Sequence, residues 1–109
     1  MSEQAFAEAL LVQLVWEFVA REDKLAEFER HYASDGTWAQ LFQRSGGFRG
    51  TTLLRDTQQH GRYLTVDSWD SAEAHRAMRE KFSREYDELN RVCEEFTEHE
   101  SHIGDFEVK

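Results

Sequence analysis

The chain has 109 residues, 22 of them acidic against 13 basic, giving a formal net charge of -9. Such a field repels polyanions, so nucleic acid and anionic membrane surfaces are excluded as expected partners. The length predicts a single domain over residues 1–109, with its core over about 10–108 and residues 1–8 as a flexible N-terminus. Fourteen aromatic residues (eight Phe, three Tyr, three Trp) are enough to build that core. One cysteine, Cys93, allows no internal disulfide, and Met1 to Glu8 resembles neither a signal peptide nor a membrane span, which predicts a cytoplasmic address.

From Leu10 to Ala20 the chain is rich in β-branched and aromatic residues, with Leu14, Trp16 and Phe18 alternating against Gln13, Val15, Glu17 and Val19. This pattern predicts a strand. Leu25, Phe28 and Tyr32 then recur at spacings of three and four, predicting an amphipathic helix over Glu22 to Ala33 that Asp35-Gly36 ends. Trp38, Leu41 and Phe42 repeat the spacing in a short helix over Thr37 to Arg44, closed by Ser45-Gly46-Gly47. Phe48 to Asp56 and Arg62 to Trp69 read as two antiparallel strands joined by the turn at Thr57 to Gly61.

Asp70-Ser71-Ala72-Glu73 is a helix-start signal. The stripe His75, Met78, Phe82, Tyr86, Leu89, Cys93 and Phe96 continues it for about 22 residues, as one helix or as two that meet near Ser83. His99 to Val108 is the last predicted strand. The order strand, helix, strand, strand, helix, strand defines an α+β, ferredoxin-like βαββαβ domain with a four-stranded antiparallel sheet. Helices cover one face of such a sheet, yet Leu11, Val15, Val19, Leu64 and Val66 leave neither face polar. The expected partner is a second copy, packed sheet to sheet as a homodimer.

Three segments carry a resemblance: Gly36-Thr37-Trp38-Ala39-Gln40-Leu41-Phe42, Gly50-Thr51-Thr52-Leu53-Leu54-Arg55-Asp56, and Arg62 through Ser71. Together they resemble the antibiotic biosynthesis monooxygenase family of dimeric α/β barrels, over about Leu10 to Val108. The resemblance implies a pocket in each protomer between sheet and helices. In cofactor-free members that pocket oxidises electron-rich aromatic or polyketide-like molecules such as anthrones, the substrate itself activating oxygen. Haem-degrading members of the superfamily imply an alternative, with an Asn on the first strand, a Trp ending the third and a His on the second long helix. Trp69 matches that Trp. Trp16, beside Glu17, stands in the place of the Asn, and His75 lies four residues before the familiar His position, which Arg79 occupies.

The candidate site follows from both readings. Trp69 is an oxidisable ring at a strand end, and His75 is a titratable group on the helix that crosses it. Asp67 shares a strand face with Tyr63, Thr65 and Trp69, which points a carboxylate beneath the helices, with Arg79, Tyr63 or His75 as its expected partner. His75, Asp67, Trp69 and Tyr63 are therefore the expected catalytic groups, while Trp16, Trp38, Phe42, Met78, Arg79 and Phe82 are expected to line a substrate pocket. Each also has a packing role that its residue type predicts: Trp69 as a core anchor, His75 as a core histidine, Asp67 as half of an ion pair. His99 and His102 fall on opposite faces of their strand, so no metal is expected. The leading reading is a monooxygenase with no bound cofactor; haem binding through His75, or a non-catalytic dimer binding a small hydrophobic ligand, are the alternatives.

Overall fold

The computed structural model describes residues 11–109; the expected flexible N-terminus at 1–8 lies outside the described residues. Alternating apolar residues form strand β1 (Val12–Ala20), with Val12, Leu14, Phe18 and Ala20 buried on one face. The helix predicted from Glu22 starts as a 3-10 turn, Glu22–Lys24, and continues as α1 (Leu25–Tyr32). Helix α2 (Thr37–Phe42) follows a tight corner at Gly36, where a Cβ would sit 2.7 Å from the carbonyl oxygens of Arg30 and His31. Only glycine fits against the end of α1 there.

Strand β2 (Phe48–Arg55) and strand β3 (Arg62–Trp69) form the predicted hairpin. The Asp56 carboxylate accepts hydrogen bonds from the Gln58 and Gln59 amides at 2.7 and 3.1 Å, and Gly61 takes the positive φ of 83° that returns the chain to the sheet. Ser71 caps helix α3 (Ala72–Lys81), its hydroxyl accepting from the Ala74 amide at 3.1 Å. The long apolar stripe is two helices, because Phe82 leaves helical geometry at φ -114°, ψ 30° before α4 (Ser83–Cys93) begins. Phe82 itself is buried, so the break is held by its packing. A 3-10 turn, Glu94–Phe96, leads into strand β4 (Thr97–Glu107).

All neighbouring strands are antiparallel, in the order β2-β3-β1-β4, which completes a ferredoxin-like α+β fold. Phe18, Phe28, Tyr32 and Tyr63 pack as one aromatic cluster between the sheet and α1, with ring centroids 4.3 to 5.4 Å apart along the chain of contacts. On the other face Val15, Val19, Leu64 and Val66 are half-buried, and Leu54 and Phe106 are 46% and 51% exposed. That face also carries the Arg62 guanidinium, which donates to Glu17 at 2.6 Å and to Asp56 at 2.9 Å. No helix among the described residues is long and apolar enough to cross a membrane.

Candidate functional site

Asp67 sits directly opposite Leu14 of β1 and Thr51 of β2, on the strand face that the helices cover. Its partner is neither the arginine nor the imidazole expected from the sequence: the Thr51 hydroxyl donates to its carboxylate at 2.7 Å. Burial pushes the Asp67 carboxyl up to about 6, and the Thr51 hydrogen bond opposes that rise. A carboxylic acid with this value changes charge close to neutral pH.

The carboxylate opens onto a cavity of about 370 Å³ between the sheet and the helices. Its floor crosses all four strands, from Thr51 on β2 through Asp67 and Thr65 on β3 and Trp16 and Phe18 on β1 to Glu100 on β4. Its walls and roof are Tyr32 of α1, Trp38 and Phe42 of α2, Arg79 of α3, and Tyr86 and Asn90 of α4. The Arg79 guanidinium lies 3.9 Å from the centre of the Tyr86 ring, whose other contact is an edge-on approach to Trp38 at 4.9 Å. Burial holds the Tyr86 and Tyr32 phenols above their ordinary range, so both stay protonated donors. This volume exceeds the low end of small-molecule sites, roughly 300 Å³.

Five of the residues expected from the sequence therefore meet at one cavity: Asp67, Trp16, Trp38, Phe42 and Arg79. The other five lie elsewhere. Trp69 is fully buried, with Phe42 on one side at 5.6 Å and His75 on another at 5.4 Å, so it stands behind the cavity wall. Met78 and Phe82 are buried in the core under α3, outside the cavity lining. Tyr63 lies under α1, where its hydroxyl donates to the Glu29 carboxylate and its phenol is pushed up to about 12 by burial and that bond. His75 lines a separate cleft of about 340 Å³ with Val12, Leu14, Arg76, Arg79 and Asp105. Burial, then the Arg79 and Arg76 charges, hold the imidazole below its ordinary range against the pull of Asp105.

The sequence did not single out Thr51, Thr65, Tyr86, Asn90 or Glu100 as site residues. Thr65 was legible by strand parity with Asp67, and Tyr86 by its place on the helical stripe. Glu100 was not, because its position opposite Phe18 depends on a bulge at Ile103 that shifts the β1–β4 register. Haem does not fit this arrangement. Among the described residues the cavity lining offers no imidazole or thiolate, burial keeps its two phenols, Tyr32 and Tyr86, protonated, and the His75 ring is packed edge-on against Trp69 beside a different cleft. Among the described residues no three His, Cys, Asp or Glu side chains group to hold a metal ion.

Comparison with known proteins agrees with this architecture. SnoaB, a cofactor-independent oxygenase from Streptomyces nogalater, superposes with a TM-score of 0.76 at 25% sequence identity, over 93% of this chain and 95% of that one. A conserved protein from Methanosarcina mazei superposes with a TM-score of 0.73 at 14% identity, over 96% of this chain and 99% of that one. No curated protein matches the chain. The family model described as antibiotic biosynthesis monooxygenase matches residues 12–81, from the first residue of β1 to the last of α3, and the chain belongs to that family.

Proposed function

We propose that the protein is a monooxygenase that needs no bound cofactor and oxidises an electron-rich aromatic or polyketide-like molecule, with Asp67 as its base. The observation that carries this reading is a carboxyl group poised to ionise near pH 6, set in the floor of an aromatic-walled cavity. The likeness to SnoaB, which is described as a cofactor-independent oxygenase, supports it. In the proposed reaction the Asp67 carboxylate takes a proton from an acidic ring CH2 of the substrate. The carbanion gives its electrons to oxygen and a C–O bond forms. Asp67 returns the proton to the outer peroxide oxygen. Loss of the second C–H proton then breaks the O–O bond, leaving a ring carbonyl and one water. Trp16, Trp38 and Phe42 hold the flat substrate and keep bulk water from the carbanion.

The free volume of the cavity favours this reading over a non-catalytic dimer whose own side chains fill its core. Oxygen uptake on an anthrone tests it: the wild type consumes oxygen and Asp67→Asn loses that activity by at least 100-fold. Uptake that Asp67→Asn leaves intact removes Asp67 from the mechanism; no uptake across anthrones, phenols and hydroquinones removes the enzyme.

A second copy of the chain is the proposed partner for the open sheet face, where Val15, Leu64, Val66, Leu54 and Phe106 present apolar surface. Sedimentation equilibrium should give twice the chain mass, and Val66→Lys should return the monomer.

A further inference from the structure

The cavity has two acidic ends. Asp67 pairs with Leu14 on β1, whereas Glu100 pairs with Phe18, four residues further along that strand and on its other side. Two inter-strand steps across the sheet and four residues along it separate the two backbones by roughly 16 Å. Between the two ends the walls are rings, Trp16 on the floor and Trp38 and Tyr86 above. At the far end the Glu100 carboxylate stands at an exposed rim, with no ion pair and no side-chain hydrogen bond among the described residues. Asn90 of α4 lines the same cavity and makes one long contact, its amide donating to Glu94 at 3.3 Å.

A carboxylate without a cation, at the mouth of an aromatic slot in a chain of net charge -9, gains nothing from the fold around it. What it can do is accept a hydrogen bond, and Asn90 can both accept and donate. We propose that Glu100 and Asn90 are specificity-determining residues that select an elongated, fused-ring substrate bearing a hydroxyl group at the end remote from Asp67. This rests on the reading of the cavity as an oxygenase site and adds the length of the substrate and the polarity of its far end. The aromatic walls between the two ends suit a flat ring system, and the roughly 16 Å between the two backbones favours a fused-ring molecule over a single ring for reaching both. A hydrogen bond to a charged acceptor discriminates by about tenfold or more against a ligand lacking the donor.

Quenching of tryptophan fluorescence, with Trp16 and Trp38 on the cavity wall, reads binding without turnover. The probes are anthraquinone and 2-hydroxyanthraquinone, compared at mildly acidic pH where the phenol keeps its proton. The wild type should bind the hydroxylated probe about tenfold more tightly. Glu100→Ala should abolish the difference, and Glu100→Gln, which keeps an acceptor oxygen, should restore part of it. Equal affinities in the wild type, or a preference that survives Glu100→Ala, overturn the inference. If neither probe binds, the inference falls together with the cavity's role. If the preference is present and Glu100-dependent but no anthrone consumes oxygen, the specificity assignment stands and the oxygenase reading alone fails.

Discussion

Two hollows lie side by side on the same face of the sheet, and they treat their titratable groups in opposite ways. In the cavity, Asp67 is covered by rings and its carboxyl is pushed up to about 6. In the neighbouring cleft, His75 is partly covered, and burial, then the charges of Arg79 and Arg76, hold its imidazole below the ordinary range. The same cost of burying charge raises an acid and lowers a base. It brings the acid towards neutral pH, where it can exchange protons, and leaves the base neutral there. Trp69 stands between the two, touching Phe42 of the cavity and His75 of the cleft, while the Arg79 side chain borders both. The contrast between the two hollows therefore comes from the kind of group that each one buries, an acid in one and a base in the other.

The most disruptive way to test this division is to remove the residue between the hollows. Trp69→Ala should cost about 3–5 kcal/mol in urea unfolding, because a fully buried ring leaves a void that the sheet cannot close. Trp69→Phe should cost less than its lost volume suggests, since the indole nitrogen finds no hydrogen-bond partner and its removal frees a buried donor. If Trp69→Phe folds well but loses turnover as completely as Asp67→Asn, then Trp69 does chemistry as well as packing.

Asp67→Asn sharpens the contrast through pH. The folded carboxyl is raised above its unfolded value, so the protonated group favours folding at low pH and that contribution is lost as pH rises through about 6. Between pH 4 and 7 the variant should gain about 2 kcal/mol relative to the wild type, read as a difference in urea midpoints. Wild-type kcat/KM should rise over the same range with an apparent pKa near 6. A flat profile would detach Asp67 from the rate. His75→Ala, by contrast, should change kcat/KM by less than about threefold, as a residue outside the cavity would. A loss as large as that of Asp67→Asn would move the reaction into the cleft.

The smallest effect is expected at the helix that roofs the cleft. Ser71→Ala removes the cap of α3 and should cost about 1 kcal/mol, with oxygen uptake unchanged once the protein is folded.

How much of this was legible in the sequence differs by element. Strand parity put Asp67, Thr65, Tyr63 and Trp69 on one face, and the structure keeps them there. Parity does not say how far along the strand a helix reaches. Tyr63 is four residues from Asp67, roughly 13 Å, and falls under α1 instead of over the cavity. His75 and Arg79 share a helical stripe, but one turn of roughly 6 Å is enough to put the first in the cleft and the second on the boundary. Met78 and Phe82 were read correctly as apolar and inward, and only the rotation of α3 against the sheet decides that they meet the core and not the void. The break at Phe82 carried no glycine or proline to announce it. These are all matters of one element's position against another, which a pattern within a single element does not encode.

The register between β1 and β4 has a consequence for redesign. Because Glu100 faces Phe18 and His102 faces Trp16, the sheet works as a graduated ruler whose marks are alternate residues of β4. Moving the acidic side chain one mark, with Glu100→Ser combined with His102→Glu, would bring it closer to Asp67 along the strand by roughly 6–7 Å and shorten the molecule that the slot measures, keeping the base in place but giving up the stacking of His102 on Trp16 at 5.0 Å.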